Sequence, residues 1–132
     1  MPATITLRDE TASGTLIGER VLDLLTDHIT LRELITRRVQ EEVREYNRRA
    51  QKDVFAGLVQ PTGAKAELDG YRLRTPRELS WEQQGDAALI AFQSNGFFVL
   101  VGDRQVESLD ERIGVGVGTE VSFVKLIPLV GG

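Results

Sequence analysis

Thr4, Ile5, Thr6 and Leu7 alternate polar and apolar across residues 3–8, the period-two signature of a strand with one buried face. A turn is expected over residues 10–14, which contain Ser13-Gly14. A second strand follows over residues 19–25, where Val21, Leu22, Leu24 and Leu25 are apolar; together they predict an N-terminal hairpin. Thr30-Leu31-Arg32-Glu33 then has the spacing of a capping box, with the Thr30 hydroxyl facing the Glu33 N–H and the Glu33 carboxylate facing the Thr30 N–H. A helix is expected from there to about Arg49. Its apolar stripe is Leu31, Leu34, Ile35, Val39, Val43 and Tyr46, and Arg37, Arg38, Glu41, Glu42, Arg44 and Glu45 fall elsewhere. This helix is expected to lie across the sheet that the hairpin begins.

Residues 50–79 carry no long pattern, because Gly57, Pro61-Thr62-Gly63, Asp69-Gly70 and Pro76 interrupt it. Residues 54–59 and 71–73 read as short strands or extended loop. A second capping box, Ser80-Trp81-Glu82-Gln83, opens a second helix with Trp81, Ala88, Leu89 and Phe92 for packing, which Asn95-Gly96 closes. Residues 97–101 form a continuous apolar run suited to a central strand, Gly102-Asp103 a turn, and residues 104–106 the return. Residues 108–113 read as a short helical turn. After a glycine-rich stretch, Val121 and Phe123 alternate with Thr119 and Ser122 in a last strand toward Leu126, and the sequence closes on Pro128-Leu129-Val130-Gly131-Gly132.

The C-terminal half carries a family resemblance. Phe98-Val99-Leu100-Val101-Gly102-Asp103-Arg104-Gln105-Val106, then Leu109-Asp110, then Gly118-Thr119-Glu120-Val121-Ser122-Phe123, resembles ubiquitin and the sulfur carriers of thiamin and molybdopterin synthesis. In the carriers a Gly-Asp-Glu-Val-like turn leads into the last strand and a terminal Gly-Gly; here Thr119 stands where they usually have Asp. The resemblance covers roughly residues 3–49 and 97–132. It implies an α+β fold of the ubiquitin-like β-grasp type, a mixed sheet packed on an amphipathic helix, in a single domain over 1–132. Residues 50–96, with the second helix, would be an insertion, and about 127–132 a flexible tail.

The resemblance also implies a chemistry. The Gly132 carboxylate would be activated by an ATP-using adenylating enzyme, with Gly131 providing a slim approach. Glycine has no Cβ, so such a tail threads a narrow channel and leaves the acyl carbon uncrowded. Leu129 and Val130 would anchor the tail in that enzyme. Val124, Lys125 and Leu126, on the exposed face of the last strands, would form the docking surface. The expected partners are the adenylating enzyme, a conjugating enzyme, a deconjugating metalloprotease and a target protein. No cofactor would be held permanently, since the ATP is used by the activating partner.

Three readings remain open: a protein modifier joined to target amines, a sulfur carrier bearing a thiocarboxylate, and a β-grasp interaction module that is never transferred. Glycine makes up 13 of 132 residues, so a terminal pair arises by chance in about one such chain in a hundred. Scarce lysines (Lys52, Lys65 and Lys125 against thirteen Arg) would limit self-linked chains, though an arginine-biased genome explains them equally well.

Composition narrows the classes further. With 41% hydrophobic and 27% charged residues, wholesale disorder is disfavoured. The absence of cysteine removes disulfides, a cysteine nucleophile and any thioester formed by the chain itself. A net charge of −4 gives no general pull toward nucleic acid or anionic membrane. The N-terminal MPATITLRDE lacks the charged-then-apolar run of a signal peptide, and a cytoplasmic, bacterial setting is expected. No nucleophile–base pair stands out, and the chain reads as a substrate of enzymes rather than an enzyme. His28 reads as a surface turn residue, residues 114–118 as a loop before a strand, Glu41-Glu42 and Arg48-Arg49 as solvated helix positions, and Trp81 and Phe92 as core of the insertion.

Overall fold

The N-terminal alternation becomes β1 (Ala3–Thr11) and β2 (Leu16–Leu24), an antiparallel hairpin. The computed structural model describes residues 3–49, 54–67, 70–75 and 77–126, and among these the fold is mixed α+β. The strands run further toward the turn than the alternation predicts. The register shifts between Asp9, opposite Gly18, and Glu10, opposite Leu16, so Ile17 is an extra residue in a bulge. That extra residue breaks the period of two and hides the start of β2. Gly14, at φ +90°, closes the turn, its N–H donating to the Thr11 carbonyl at 2.9 Å.

The remaining elements are β3 (His28–Thr30), α1 (Leu31–Arg48), β4 (Val54–Phe55), β5 (Ala64–Glu67), β6 (Gly70–Leu73), α2 (Trp81–Gln93), β7 (Phe97–Val101), β8 (Arg104–Val106), β9 (Arg112–Gly114) and β10 (Glu120–Lys125). They fall into two compact units, Met1–Glu33 with Phe92–Gly132, and Leu34–Ala91.

The first unit is built on a five-stranded sheet of order β2-β1-β10-β7-β8. Its central pair, β1 and β10, is parallel, with Leu7 beside Val121 and Asp9 beside Phe123; every other pairing is antiparallel. Ile5, Leu7, Leu22, Leu24, Phe97, Val99, Val106, Val121 and Phe123 are buried. The Phe97 ring centroid lies 6.0 Å from that of Phe123 and 5.8 Å from that of Phe92. Each such side chain contributes roughly 1.5–3 kcal/mol by leaving water.

A two-stranded ribbon, β3 with β9, adds Ile29 and Ile113 to the buried set. Both strands are three residues long, too short to display a period, so residue order points instead to a turn at His28 and a helical turn over 108–113. The turn is confined to 108–111, where the Glu111 N–H donates to the Ser108 carbonyl at 3.2 Å, and extended backbone follows. The same segment completes the start of α1. The capping box forms, with the Glu33 N–H donating to Thr30 Oγ1 at 3.2 Å and the Thr30 N–H to Glu33 Oε1 at 3.4 Å. Leu31 N–H and Arg32 N–H donate outward to the carbonyls of Glu111 and Leu109 at 3.1 and 2.9 Å. Donors that a helix leaves unpaired at its N-terminus are thereby satisfied.

The second unit holds α1 from Leu34 onward, a three-stranded sheet of order β4-β6-β5, and α2. The expected apolar stripe of α1 is buried, and the Tyr46 ring meets Phe55 edge-on at 5.4 Å. Two polar residues join that stripe, contrary to the expectation that Glu42 is solvated. Arg38 and Glu42, only 2% and 3% exposed, form an ion pair with Arg38 Nε donating to Glu42 Oε1 at 2.5 Å. Glu42 Oε2 accepts the Leu58 N–H at 2.8 Å. The Asn47 side chain exchanges two 2.9 Å hydrogen bonds with the Leu79 backbone, pinning the approach to α2.

In α2 the Ser80 hydroxyl accepts from the Gln83 N–H at 3.3 Å, and Asn95, at φ 61°, follows the helix end. Its buried residues are Gln84, Gly85 and Ala88, with Gln84 donating to the Val59 carbonyl at 3.3 Å. Trp81 is 40% exposed and corrects the expectation that it is core. β5 went unseen in the sequence because Ala64–Glu67 is almost wholly solvent-facing and lacks apolar alternation.

Candidate functional site

The residues assigned to the end of the chain divide at Leu126. Leu129, Val130, Gly131 and Gly132 lie outside the described residues. Val124, Lys125 and Leu126 are described and all three are half-buried. Val124 stands between Glu10 of β1 and Phe98 of β7, on the sheet face opposite Val121 and Phe123. Lys125, opposite Phe97, belongs by alternation to the same face as Phe123. Leu126 follows the strand, its N–H donating to the Gly96 carbonyl at 3.3 Å. The three are consecutive along the chain but do not share a face.

Val124 does share its face with two residues of the apolar 97–101 run. Phe98 is its direct partner, and Leu100 stands opposite Ser122 one pair along; both are half-exposed. The result is an apolar strip over β10 and β7, bordered on β1 by Arg8 and Glu10, whose charged groups approach to 3.8 Å. The signal for it was present: a run apolar at every position from 97 to 101 has too many apolar side chains for a sheet buried on one face only.

A groove of about 590 Å³ is lined by Phe92, Phe97 and Phe98 together with Arg32, Ser108 and Asp110. Arg32 and Asp110 pair across 3.5 Å at its wall. The approach to β10 is a closed turn: the Gly116 N–H donates to the Thr119 hydroxyl at 2.9 Å, the Thr119 N–H returns to the Gly116 carbonyl at 3.1 Å, and Gly118 sits at φ +86°. Thr119, the departure from the carrier pattern, thus supplies the oxygen that holds the turn.

His28 is solvent-exposed, with Nδ1 donating to Asp27 Oδ1 at 2.7 Å. That hydrogen bond, reinforced by the histidine's charge, holds the Asp27 carboxyl below its ordinary value. A carboxyl lowered in the folded state favours folding above its usual pKa and loses that contribution as pH falls through the lowered one. His28→Ala should return the Asp27 titration toward the ordinary carboxylate range, read by NMR. Among the described residues, no three His, Cys, Asp or Glu side chains converge as metal ligands, and no helix is long and apolar enough to cross a membrane.

Comparisons with family models, curated proteins and solved structures found no match to this chain.

Proposed function

We propose that the chain is a ubiquitin-like β-grasp protein modifier, activated at its Gly132 carboxylate and joined to amines on target proteins. The observation that carries this reading is the strand order β2-β1-β10-β7-β8, with an N-terminal hairpin and a parallel central pair, β10 being the last strand before Pro128-Leu129-Val130-Gly131-Gly132 in the sequence. In chain order the hairpin is followed by a capped amphipathic helix, and β7, β8 and β10 come after it, in the order the β-grasp requires. Residues between α1 and β7 form the added material.

The chemistry needs one acyl group and a series of partners. The Gly132 carboxylate attacks the α-phosphate of ATP on an adenylating enzyme, releasing pyrophosphate and leaving an acyl adenylate. A partner's thiolate displaces AMP to form a thioester, and a target amine displaces that thiol to form an amide. The chain has no cysteine, so every thiol in the sequence of steps belongs to another protein.

A sulfur-carrier role is the second reading, favoured by the closed glycine-containing turn that leads into β10. Intact-mass measurement after incubation with a candidate activating enzyme and ATP separates the outcomes. An acyl adenylate followed by an amide-linked conjugate supports the modifier, a terminal thiocarboxylate supports the carrier, and an unchanged mass defeats both. The Val124, Phe98 and Leu100 strip is the surface on which an activating enzyme would dock. Charging it with Val124→Asp and Leu100→Asp should slow adenylation by about tenfold or more through lost apolar burial, with the far-UV circular dichroism unchanged.

A further inference from the structure

The first turn of α2 carries Trp81, which the tail chemistry does not use. It is 40% exposed, and among the described residues its indole ring has no ring contact and its N–H no hydrogen-bond partner. Trp81 lines a groove of about 430 Å³ together with Gln40, Val43, Arg44, Asn47 and Arg48 of α1, all within the unit Leu34–Ala91. Gln40, Arg44 and Arg48 follow one another at four-residue spacing, so they stack along one flank of the helix. Trp81 belongs to the material added between α1 and β7, so this groove is a feature of the insertion rather than of the five-stranded sheet.

The lining is rich in hydrogen-bond donors and holds no carboxylate. Arg44 gives one guanidinium nitrogen to Glu41 at 3.2 Å, while the side chains of Arg48 and Gln40 have no partner among the described residues. Residues 34–91 hold ten of the sixteen basic residues of the chain and nine of its twenty acidic ones, so the net negative charge belongs to the rest of the sequence. Positive charge with spare donors selects an anionic occupant, and the exposed indole selects one with a flat or apolar group beside the charge. Trp and Arg are also the residue types that dominate binding energy at protein interfaces.

Spacing narrows the occupant further. The helical rise puts Arg44 and Arg48 about 6 Å apart along the axis, and alternate side chains of an extended chain recur at about 6.6 Å. Two carboxylates at alternate positions therefore match the two guanidinium groups. Asn47 demonstrates what a side-chain amide on this face of α1 does with a peptide group: its Oδ1 accepts the Leu79 N–H and its Nδ2 donates to the Leu79 carbonyl, each at 2.9 Å. Gln40 lies two turns earlier on the same face and offers the same pair of atoms, which favours a peptide over a nucleotide. We propose that this groove binds an extended acidic segment of a partner protein, with Asp or Glu at two alternate positions paired to Arg44 and Arg48 and an aromatic residue packed against Trp81.

The test uses the full chain and a peptide built around Phe-Thr-Glu-Thr-Glu-Thr-Phe, which presents the pattern in either direction. Trp81 is the only tryptophan, so its emission reads the groove itself: a saturable shift to shorter wavelength is expected on titration, with matching saturable anisotropy when the peptide carries fluorescein. Affinity about tenfold weaker or worse is expected for a peptide with Lys in place of both Glu, and for the Arg44→Gln/Arg48→Gln and Trp81→Ala variants read by anisotropy. Arg44 and Arg48 are exposed, and circular dichroism checks the fold of each variant. Absence of saturable binding, equal binding of the lysine peptide, or binding undiminished in the arginine variant overturns the proposal. So does tighter binding of an oligouridylate, which would make a nucleic acid the occupant, or a concentration-dependent dimer that shifts Trp81 emission, which would make it a second copy. None of these readouts involves Gly132, so the proposal stands or falls apart from the modifier reading.

Discussion

A chain ending at Val130 should fold as the full-length protein does and form no conjugate at all. The two lost glycines, Gly131 and Gly132, come after the last strand, Glu120–Lys125, in the sequence. Removing terminal residues that bury little changes stability by no more than about 0.5 kcal/mol. On the proposed mechanism transfer, by contrast, requires the acyl group at a fixed reach from β10, and shortening the tail would leave the carboxylate short of the reacting phosphate. A gentler substitution separates reach from bulk. Gly131→Val keeps the length but adds a branched Cβ next to the acyl group, and misplacement of a reacting group by about 1 Å costs about a hundredfold in rate. Single-turnover adenylation followed by intact-mass analysis reads both variants. Wild-type transfer by the truncated chain would remove Gly132 from the mechanism.

The largest loss of stability is expected from Glu42→Ala. Its carboxylate is nearly solvent-free and bonds to Arg38 Nε and to the Leu58 N–H. Deleting it weakens the compensation of a buried guanidinium and leaves a buried backbone donor unpaired, and breaking a buried pair in this way costs about 3–5 kcal/mol. Replacing both partners by apolar residues of similar size, Arg38→Met with Glu42→Leu, should recover part of that loss, because the charge is removed along with its partner; the Leu58 N–H remains the residual cost. Chemical denaturation followed by Trp81 fluorescence suits the measurement, since Trp81 is the only tryptophan and belongs to the same unit. Equal stability of Glu42→Ala and wild type would mean that Glu42 carries none of the load assigned to it. The close packing around Gly57 points the same way: a Cβ there would meet the Phe55 ring and lie 2.7 Å from Glu42 Oε2.

Elements with a long period were legible from residue order. The 18-residue α1 repeats its apolar positions over five turns, and Thr30 and Glu33 mark its start, so both its position and its buried stripe follow from the sequence. β7, β8 and β10 were legible because Gly102 and the glycine-rich 114–118 segment bracket them. Strands β3, β5 and β9 were not, since three or four residues cannot establish an alternation and β5 has no apolar face. Glu42 reads as a solvated charge and Arg38 falls off the apolar stripe in the sequence, because their burial depends on a partner four residues away and on Leu58, sixteen residues beyond Glu42.

The candidate site divides along the same line. Residue order alone determined the hairpin, the capped helix, the apolar β7 run and the di-glycine ending, because each is encoded within one unbroken stretch of the chain. Tertiary structure alone decided that β10 lies beside β1 in parallel, that Val124 meets Phe98 while Lys125 turns to the other face, and that β2 is left at the edge of the sheet. Those are pairings between segments distant in the chain, and a strand's alternation says that it has two faces without saying which neighbour covers either one.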